Sequence, residues 1–348
     1  MILQNLTKYI QQADEAVFPS GIYCICCGSL IDGTRTYALC DTCIRRFHWN
    51  VGETCGKCGK ALRRIDLGEG YEPEHFDGPG EGYEPEPVKD PGEGYEPELA
   101  ADLIRTPAGK GGLGRIEAPV LPAIGRPRLC YDCMREERLF RKGFSCLTYG
   151  LHERELMMAL KYNGSGFIAV KCGDMMFDRI EEEVRDGLFA PGRSPIDLIA
   201  AVPVSAGRYR KRGYNQSALM ARQLVRRWKA FVREEKHKGS GSLPEEPRAE
   251  APGHRVPVFY DDLMERTRKT KMLRGLNPAE RRLELKGAFR VREPYRLKLQ
   301  GKRTLLIDDI YTTGATADAC SQALLEGGAM EVYLLTWASG GNRRPGEM

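Results

Sequence analysis

One stretch constrains the fold of this chain more than any other: Arg303-Thr-Leu-Leu-Ile-Asp-Asp-Ile-Tyr-Thr-Thr-Gly-Ala-Thr316. Leu305, Leu306 and Ile307 form a short continuous apolar run, the pattern of a strand buried on both faces. Such a strand belongs in a sheet covered by helices on both sides. The run delivers two carboxylates, Asp308 and Asp309, to the sheet edge. Thr312, Thr313, Gly314, Ala315 and Thr316 then form a small-residue loop entering a helix. Free N–H groups at a helix start, with threonine hydroxyls, can cradle a phosphate dianion, and Gly314 lets the backbone come close to it. Carboxylates beside a phosphate repel it unless they face something else, here vicinal sugar hydroxyls or a bound Mg²⁺. An acid pair plus a phosphate loop describes a ribose 5-phosphate site; the alternative is an ordinary strand–turn–helix with a capping threonine.

The rest of the second half supports a sheet of this kind. Strands are expected at Phe144–Tyr149, Asp197–Val204, Arg303–Ile307 and Glu331–Ala338. Helices are expected at Glu153–Lys161, Ile168–Val184, Gln216–Glu235 and Thr316–Glu326. Strands alternating with helices predict an α/β fold with a parallel sheet flanked by helices, whose ligands sit beyond the carboxyl ends of the strands.

The first half is organised by cysteine. Eight of the 12 cysteines fall into four Cys-x-x-Cys pairs, Cys24/Cys27, Cys40/Cys43, Cys55/Cys58 and Cys130/Cys133. Thiolates two residues apart reach one ion from a tight turn, and a second pair completes a tetrahedral Zn–S₄ site. A single pair can be a redox couple, whereas four in series point to structural zinc, one or two ions. Cys26 reads as a bystander, and Cys146, Cys172 and Cys320 as core residues.

Between the third and fourth pairs, Gly-Glu-Gly-Tyr-Glu-Pro-Glu begins at Gly68, Gly80 and Gly92. This acidic, aliphatic-poor repeat predicts a disordered insertion over 66–128. Residues 236–257 read as a second loop. Domain boundaries follow: an amphipathic helix over 1–20, a cysteine-rich zinc module over 21–142 and an α/β domain over 143–340. Residues 66–102 hold 13 acidic side chains and one basic one, so the remainder carries 52 basic against 35 acidic residues, a net of +17. Such a body attracts polyanions, either nucleic acid or a small phosphorylated substrate, or it is simply a solvated basic face. No run of eighteen apolar residues is present to span a membrane, and residues 1–20 lack the pattern of a secretory signal, so a cytoplasmic location is expected.

The stretch at 303–316 resembles the signature of type I phosphoribosyltransferases. Further residues narrow the resemblance to the ComF family of competence-associated, phosphoribosyltransferase-like proteins: Val17-Phe-Pro with Cys24-x-x-Cys27-Gly, Leu160-Lys-Tyr162 with Gly164, Val202-Pro-Val204, Arg212-Gly-Tyr-Asn-Gln216, Leu263 with Arg266, Arg268 and Thr270, Gly287-Ala-Phe289, and Gly328-Ala329. The resemblance spans nearly the whole chain outside the two loops. It implies a type I phosphoribosyltransferase-like sheet binding phosphoribosyl diphosphate with Mg²⁺. Asp308 and Asp309 would hold the ribose hydroxyls and metal-linked water, and Thr312 to Thr316 the 5-phosphate. Val204-Ser205 would take the place of the pyrophosphate loop, with Arg212, Asn215 and Gln216 just beyond. The alternative for Asn215 is a helix cap. The resemblance also implies a part in DNA uptake during natural transformation, with single-stranded DNA and DNA-uptake proteins as partners. Two positions depart from the family pattern: Met272 stands near its usual Gln and Glu284 near its usual Asn. Both belong to the region that covers the substrate in related enzymes. Pentosyl transfer to an unidentified acceptor therefore competes with two other readings, a non-enzymatic single-stranded-DNA-binding protein and a sensor of the sugar diphosphate.

Overall fold

A computed structural model describes residues 22–62, 128–162, 166–185, 196–238, 256–270 and 275–341, all within one unit of the chain. The helix expected over 1–20, the acidic repeats and Met272 lie outside these residues. So do positions 239–255 of the loop expected over 236–257, whose first three residues instead extend a helix.

Five parallel strands form the sheet: β1 (Lys142–Thr148), β2 (Leu198–Ala201), β3 (Val258–Phe259), β6 (Arg303–Tyr311) and β7 (Glu331–Ser339). Their spatial order is β1-β7-β6-β2-β3. Parallel neighbours need crossovers, and helices supply them. Helices α3 (Leu151–Tyr162) and α4 (Gly166–Arg185) follow β1, and α5 (Ala206–Arg212) and α6 (Gln216–Lys238) follow β2. Between β6 and β7 lies α9 (Ala315–Glu326).

Side chains alternate across the sheet with the strand period of two. Leu305 and Ile307 join Leu335 and Trp337 on one face, under Met175 and Ile180 of α4 and Leu224 and Trp228 of α6. Leu306 and Leu334 enter the opposite core, beneath Cys320 and Leu324 of α9. Each fully buried side chain of this size contributes about 1.5–3 kcal/mol. Two covered faces explain why the strands read as continuous apolar runs.

Two strand ends differ from expectation. The β2 strand stops at Ala201 rather than continuing to Val204, and the Val202 N–H makes a last bond to the Ile307 carbonyl. Meanwhile β6 continues past Ile307 to Tyr311, because β7 keeps pairing with it: Asp308 faces Thr336, Ile310 faces Ala338 and Tyr311 faces Ser339. A two-stranded antiparallel ribbon, β4 (Met264–Arg266) with β5 (Phe289–Val291), was not expected. Neither was α7 (Pro278–Leu285), which opens on a full capping box between Asn277 and Glu280, nor the short α8 (Arg296–Leu299).

The eight paired cysteines form two clusters of one design. In each, a Cys-x-x-Cys-Gly turn is closed by an antiparallel bridge, Tyr23 with Leu30 and Thr54 with Ala61. The glycine takes a left-handed conformation, with φ of 72° at Gly28 and 73° at Gly59. The second pair of each cluster opens a short helix, α1 (Asp41–Arg46) after Cys40 and α2 (Tyr131–Arg135) after Cys130. The first cluster docks through residues 48–50 on the free edge of β1: Trp49 bridges Leu147 and the Asn50 N–H reaches the Cys146 carbonyl. This covers part of an edge that would otherwise expose its ladder.

The second cluster sits on the start of β1 through a glycine pair. A Cβ on Gly59 would lie 2.4 Å from the Gly143 carbonyl oxygen, and one on Gly143 would lie 2.8 Å from the Cys58 carbonyl oxygen. Gly59→Ala combines this clash with a positive φ. It is expected to lower stability by about 2 kcal/mol or more, read as a lower urea midpoint with an unchanged m-value.

Candidate functional site

The gap between β2 and β6 is where the chain's connections diverge. From β2 the chain returns through α6 to β3 on one side, and from β6 it returns through α9 to β7 on the other. Such a switch point leaves a crevice beyond the strand ends. Asp308 and Asp309 stand on β6 just beyond Ile307, the last residue that pairs with β2.

Asp309 is buried and densely held. Lys161 Nζ at the end of α3 lies 2.6 Å from its Oδ2, Gln216 Nε2 donates to the same oxygen at 3.0 Å, and the Ile310 N–H donates to Oδ1 at 2.8 Å. Burial works against the carboxylate, but Lys161 and these donors outweigh it and hold the group below the ordinary carboxylate range. Asp308 has less support: the Asp309 N–H at 2.9 Å and the Ser217 hydroxyl at 3.4 Å. Burial, reinforced by the neighbouring Asp309 charge, pushes it up to about 8. The pair therefore holds one proton near neutrality, and a cation or a row of sugar hydroxyls would release it.

Past Tyr311 the chain leaves the sheet through Thr312 and Thr313. Gly314, with φ 85°, starts α9 without a side-chain cap. The first N–H groups of a helix have no partner within it, so Ala315 and Thr316 present donors at the loop. Thr312 is exposed, Thr313 and Thr316 are half-buried, and Gly314 and Ala315 are buried. The loop and the acid pair thus occupy one strand end, as the sequence pattern requires.

The residues expected opposite have varied positions. Ser205 caps α5 by accepting from the Arg208 N–H at 3.4 Å, beside half-buried Val204. Asn215 caps α6: its Oδ1 accepts from the Ser217 N–H at 3.1 Å while its Nδ2 donates to the Val202 carbonyl at 3.0 Å. This ties the start of α6 to the end of β2. Gln216 bridges, receiving Arg212 Nη1 at 3.1 Å on its Oε1 while its amide nitrogen holds Asp309.

Lys161, Ser217 and Arg266 were not singled out as site residues. Lys161 lies 148 positions from Asp309, and only the Leu-Lys-Tyr pattern around it hinted at a role. Arg266 on β4 has a buried Nε without a hydrogen-bond partner. Burial, together with the like charges of Arg208 and Arg268, presses its guanidinium below the ordinary arginine value. Uncompensated cations of this kind are complementary to a polyanion.

Among the described residues, Cys24, Cys27, Cys40 and Cys43 form one metal-competent group, and Cys55, Cys58, Cys130 and Cys133 a second. Within each, the four sulfurs lie within 4.8 Å of one another. Four thiols converging from two turns fit a tetrahedral zinc ion in each group. The second group is fully buried, whereas Cys27 of the first is exposed, and hydrogen bonds from Ser29 hold its thiol down to about 6. No helix among the described residues is long and apolar enough to cross a membrane.

No protein-family profile matches the chain. Individual relatives do. The chain is 27% identical over 216 residues to the DNA utilization protein YhgH of Escherichia coli K12, covering 62% of this chain and 79% of that protein. It is 24% identical over 226 residues to the competence protein ComFC of Bacillus subtilis, covering 62% and 75%. It is 29% identical over 143 residues to the competence protein F of Haemophilus influenzae, covering 40% and 48%. These similarities support an assignment to the ComF family.

The raised Asp308 value makes stability depend on pH. A carboxyl whose folded value of about 8 exceeds its ordinary 3.8 stabilises the fold fully below pH of about 4, and this contribution is lost as pH rises through about 8. Asp308→Asn removes the dependence. Urea midpoints should show the variant gaining on the wild type between about pH 4 and about pH 8, and a constant difference would refute the protonated carboxyl.

Proposed function

We propose that the crevice at the end of β6 binds phosphoribosyl diphosphate with Mg²⁺, on a sheet of the type I phosphoribosyltransferase plan, and that the protein acts in DNA uptake. One observation carries this reading: the Asp308–Asp309 pair and the Gly314 loop share one strand end at the switch point of the sheet. Thr312, Thr313, Gly314, Ala315 and Thr316 bind the 5-phosphate. Asp308 and Asp309 take the vicinal ribose hydroxyls, with Lys161 and Gln216 orienting Asp309. The diphosphate lies toward Val204, Ser205, Arg208, Arg212 and Arg266. Asp308 and Asp309 are the residues that would hold Mg²⁺ or its bound water, and the ion would supply charge neutralisation for the diphosphate. A developing positive charge at the sugar would be stabilised by the acid pair once Asp308 gives up its proton.

Pentosyl transfer follows from this binding mode if an acceptor enters, and the alternative is a sensor of the sugar diphosphate. Glu284 favours the sensor: it accepts Arg268 Nη1 at 3.4 Å, and its carbonyl accepts Nη2 at 2.6 Å, so a cation of the covering region is already engaged. The names of the relatives, DNA utilization and competence proteins, support the place in DNA uptake. Reduced cysteine pairs fit a cytoplasmic location.

Isothermal titration with phosphoribosyl diphosphate and Mg²⁺ tests the site. Wild type should bind, and Asp308→Asn/Asp309→Asn should weaken affinity by about tenfold or more, the worth of one charge-assisted hydrogen bond. Unchanged affinity would remove the assignment.

A second reading has its own support. Helix α5 buries no side chain and exposes Arg208, Arg210 and Lys211 with Tyr209, while exposed Tyr162 lies 5.6 Å from Lys211 Nζ and 5.7 Å from the Arg212 guanidinium. Cations interleaved with open rings suit single-stranded DNA, where each base stacked on an aromatic is worth about 1–3 kcal/mol. Gel shifts at two salt concentrations should show binding that weakens with salt and falls about tenfold in Tyr162→Ala/Tyr209→Ala. Salt-insensitive binding would sink this reading.

A further inference from the structure

The floor of the phosphate loop is supplied by the second cysteine group. Arg138, five residues after Cys133, is almost wholly buried. Its Nη1 pairs with Asp318 Oδ2 of α9 at 3.0 Å and with Glu136 Oε2 at 3.2 Å, and the Leu139 N–H holds the other Asp318 oxygen at 3.2 Å. Asp318 in turn donates its N–H to the Gly314 carbonyl at 2.8 Å. Gly314 lies so close above that a Cβ there would stand 2.8 Å from Arg138 Nη1 and 2.7 Å from the Tyr311 hydroxyl. Tyr311, the last residue before the loop, packs edge-on against Phe140 at 6.1 Å, and Lys60 Nζ lies 5.4 Å from its ring centre. Lys60 follows Cys58 by two positions and Phe140 follows Cys133 by seven.

The same guanidinium faces Cys133, and its Nε and Nη2 are buried without hydrogen-bond partners. Four thiolates around one Zn²⁺ carry a net charge of −2, and a buried arginine beside them offsets part of it. The first cysteine group has no such link. It packs on the opposite core, with Phe47 edge-on to Trp337.

We propose that Arg138 is a positioning residue that makes the shape of the phosphate loop depend on metal in the second cysteine group. Through Asp318 it sets the first turn of α9, and through Gly314 the height of the loop. The inference rests on the proposed sugar-phosphate reading only for its functional consequence, because the mechanical link can be read without a ligand. It assigns different tasks to the two groups: the second tunes the site, and the first does not.

The test is amide hydrogen exchange of residues 311–318 in the full chain, with zinc content measured alongside. Cys133→Ser is expected to lose zinc from the second group and to raise exchange in this peptide by about tenfold or more, the scale of effects from partners of metal ligands. Cys40→Ser is expected to lose zinc from the first group and leave the peptide unchanged. Arg138→Met/Asp318→Asn removes both members of the pair, while Glu136 keeps its Arg282 partner. It is expected to keep zinc in both groups, raise the same exchange, and weaken phosphoribosyl diphosphate by about tenfold. Equal responses to Cys133→Ser and Cys40→Ser, or an unchanged peptide in Cys133→Ser, would overturn the inference. If Cys133→Ser does not fold, the double variant decides: retained zinc with unchanged exchange refutes the link. Should the wild type fail to bind the sugar diphosphate while the exchange responds as expected, the site reading falls and the coupling stands.

Discussion

Strand β6 keeps its ladder with β7 for four residues after β2 has turned away, and the carboxyl edge of the sheet is built on that inequality. Backbone groups in this region must find partners, and β7 supplies them on one side. On the other side the released edge opens to the crevice. The two aspartates therefore stand on a strand that β7 still pairs on one side, beside the edge that β2 has left. A site on a strand is held more firmly than one on a loop. The loop that follows gains the same rigidity from α9 behind it.

Charge in the crevice is balanced in an uneven way. Lys161 and Gln216 commit themselves to Asp309, leaving Asp308 with a proton it would shed for a suitable partner. On the opposite wall Arg208, Arg266 and Arg268 crowd one another. A ligand with hydroxyls or a cation at one end and several negative charges at the other would relieve both strains at once. Few small metabolites have that polarity, and a phosphorylated sugar carrying a diphosphate is one of them.

The sequence made the core of this arrangement legible because its signals are local. An apolar run, two acids and a small-residue loop occupy consecutive positions, and each Cys-x-x-Cys pair announces its own turn. The helices from Gly166 to Arg185 and from Gln216 to Lys238 were read to within a few residues, because long amphipathic faces leave a strong periodic trace. What stayed hidden depends on distance. The Lys161–Asp309 pair, the Arg138–Asp318 clamp and the β4–β5 ribbon join residues far apart in the chain, and no periodicity records them. Asn215 shows a different failing: the same residue type serves a ligand or a cap, and only the Val202 carbonyl decides which. The end of β2 was overrun because Val202 and Val204 have strand propensity, yet the chain turns away from β6 there to enter the helix capped by Ser205.

The second cysteine group also closes a long excursion of the chain. Cys58 and Cys130 bring their sulfurs to 3.6 Å, and the Gly56 N–H meets the Arg128 carbonyl at 2.9 Å, so residues 63–127 depart and return at a single point. Closing a chain at fixed ends costs free energy that grows only with the logarithm of its length, about 0.6 kcal/mol for each doubling. Adding or deleting one twelve-residue copy there changes that cost by much less. The clasp thus frees the insertion from the fold's accounts, and a change in the number of acidic copies leaves the support of the crevice in place.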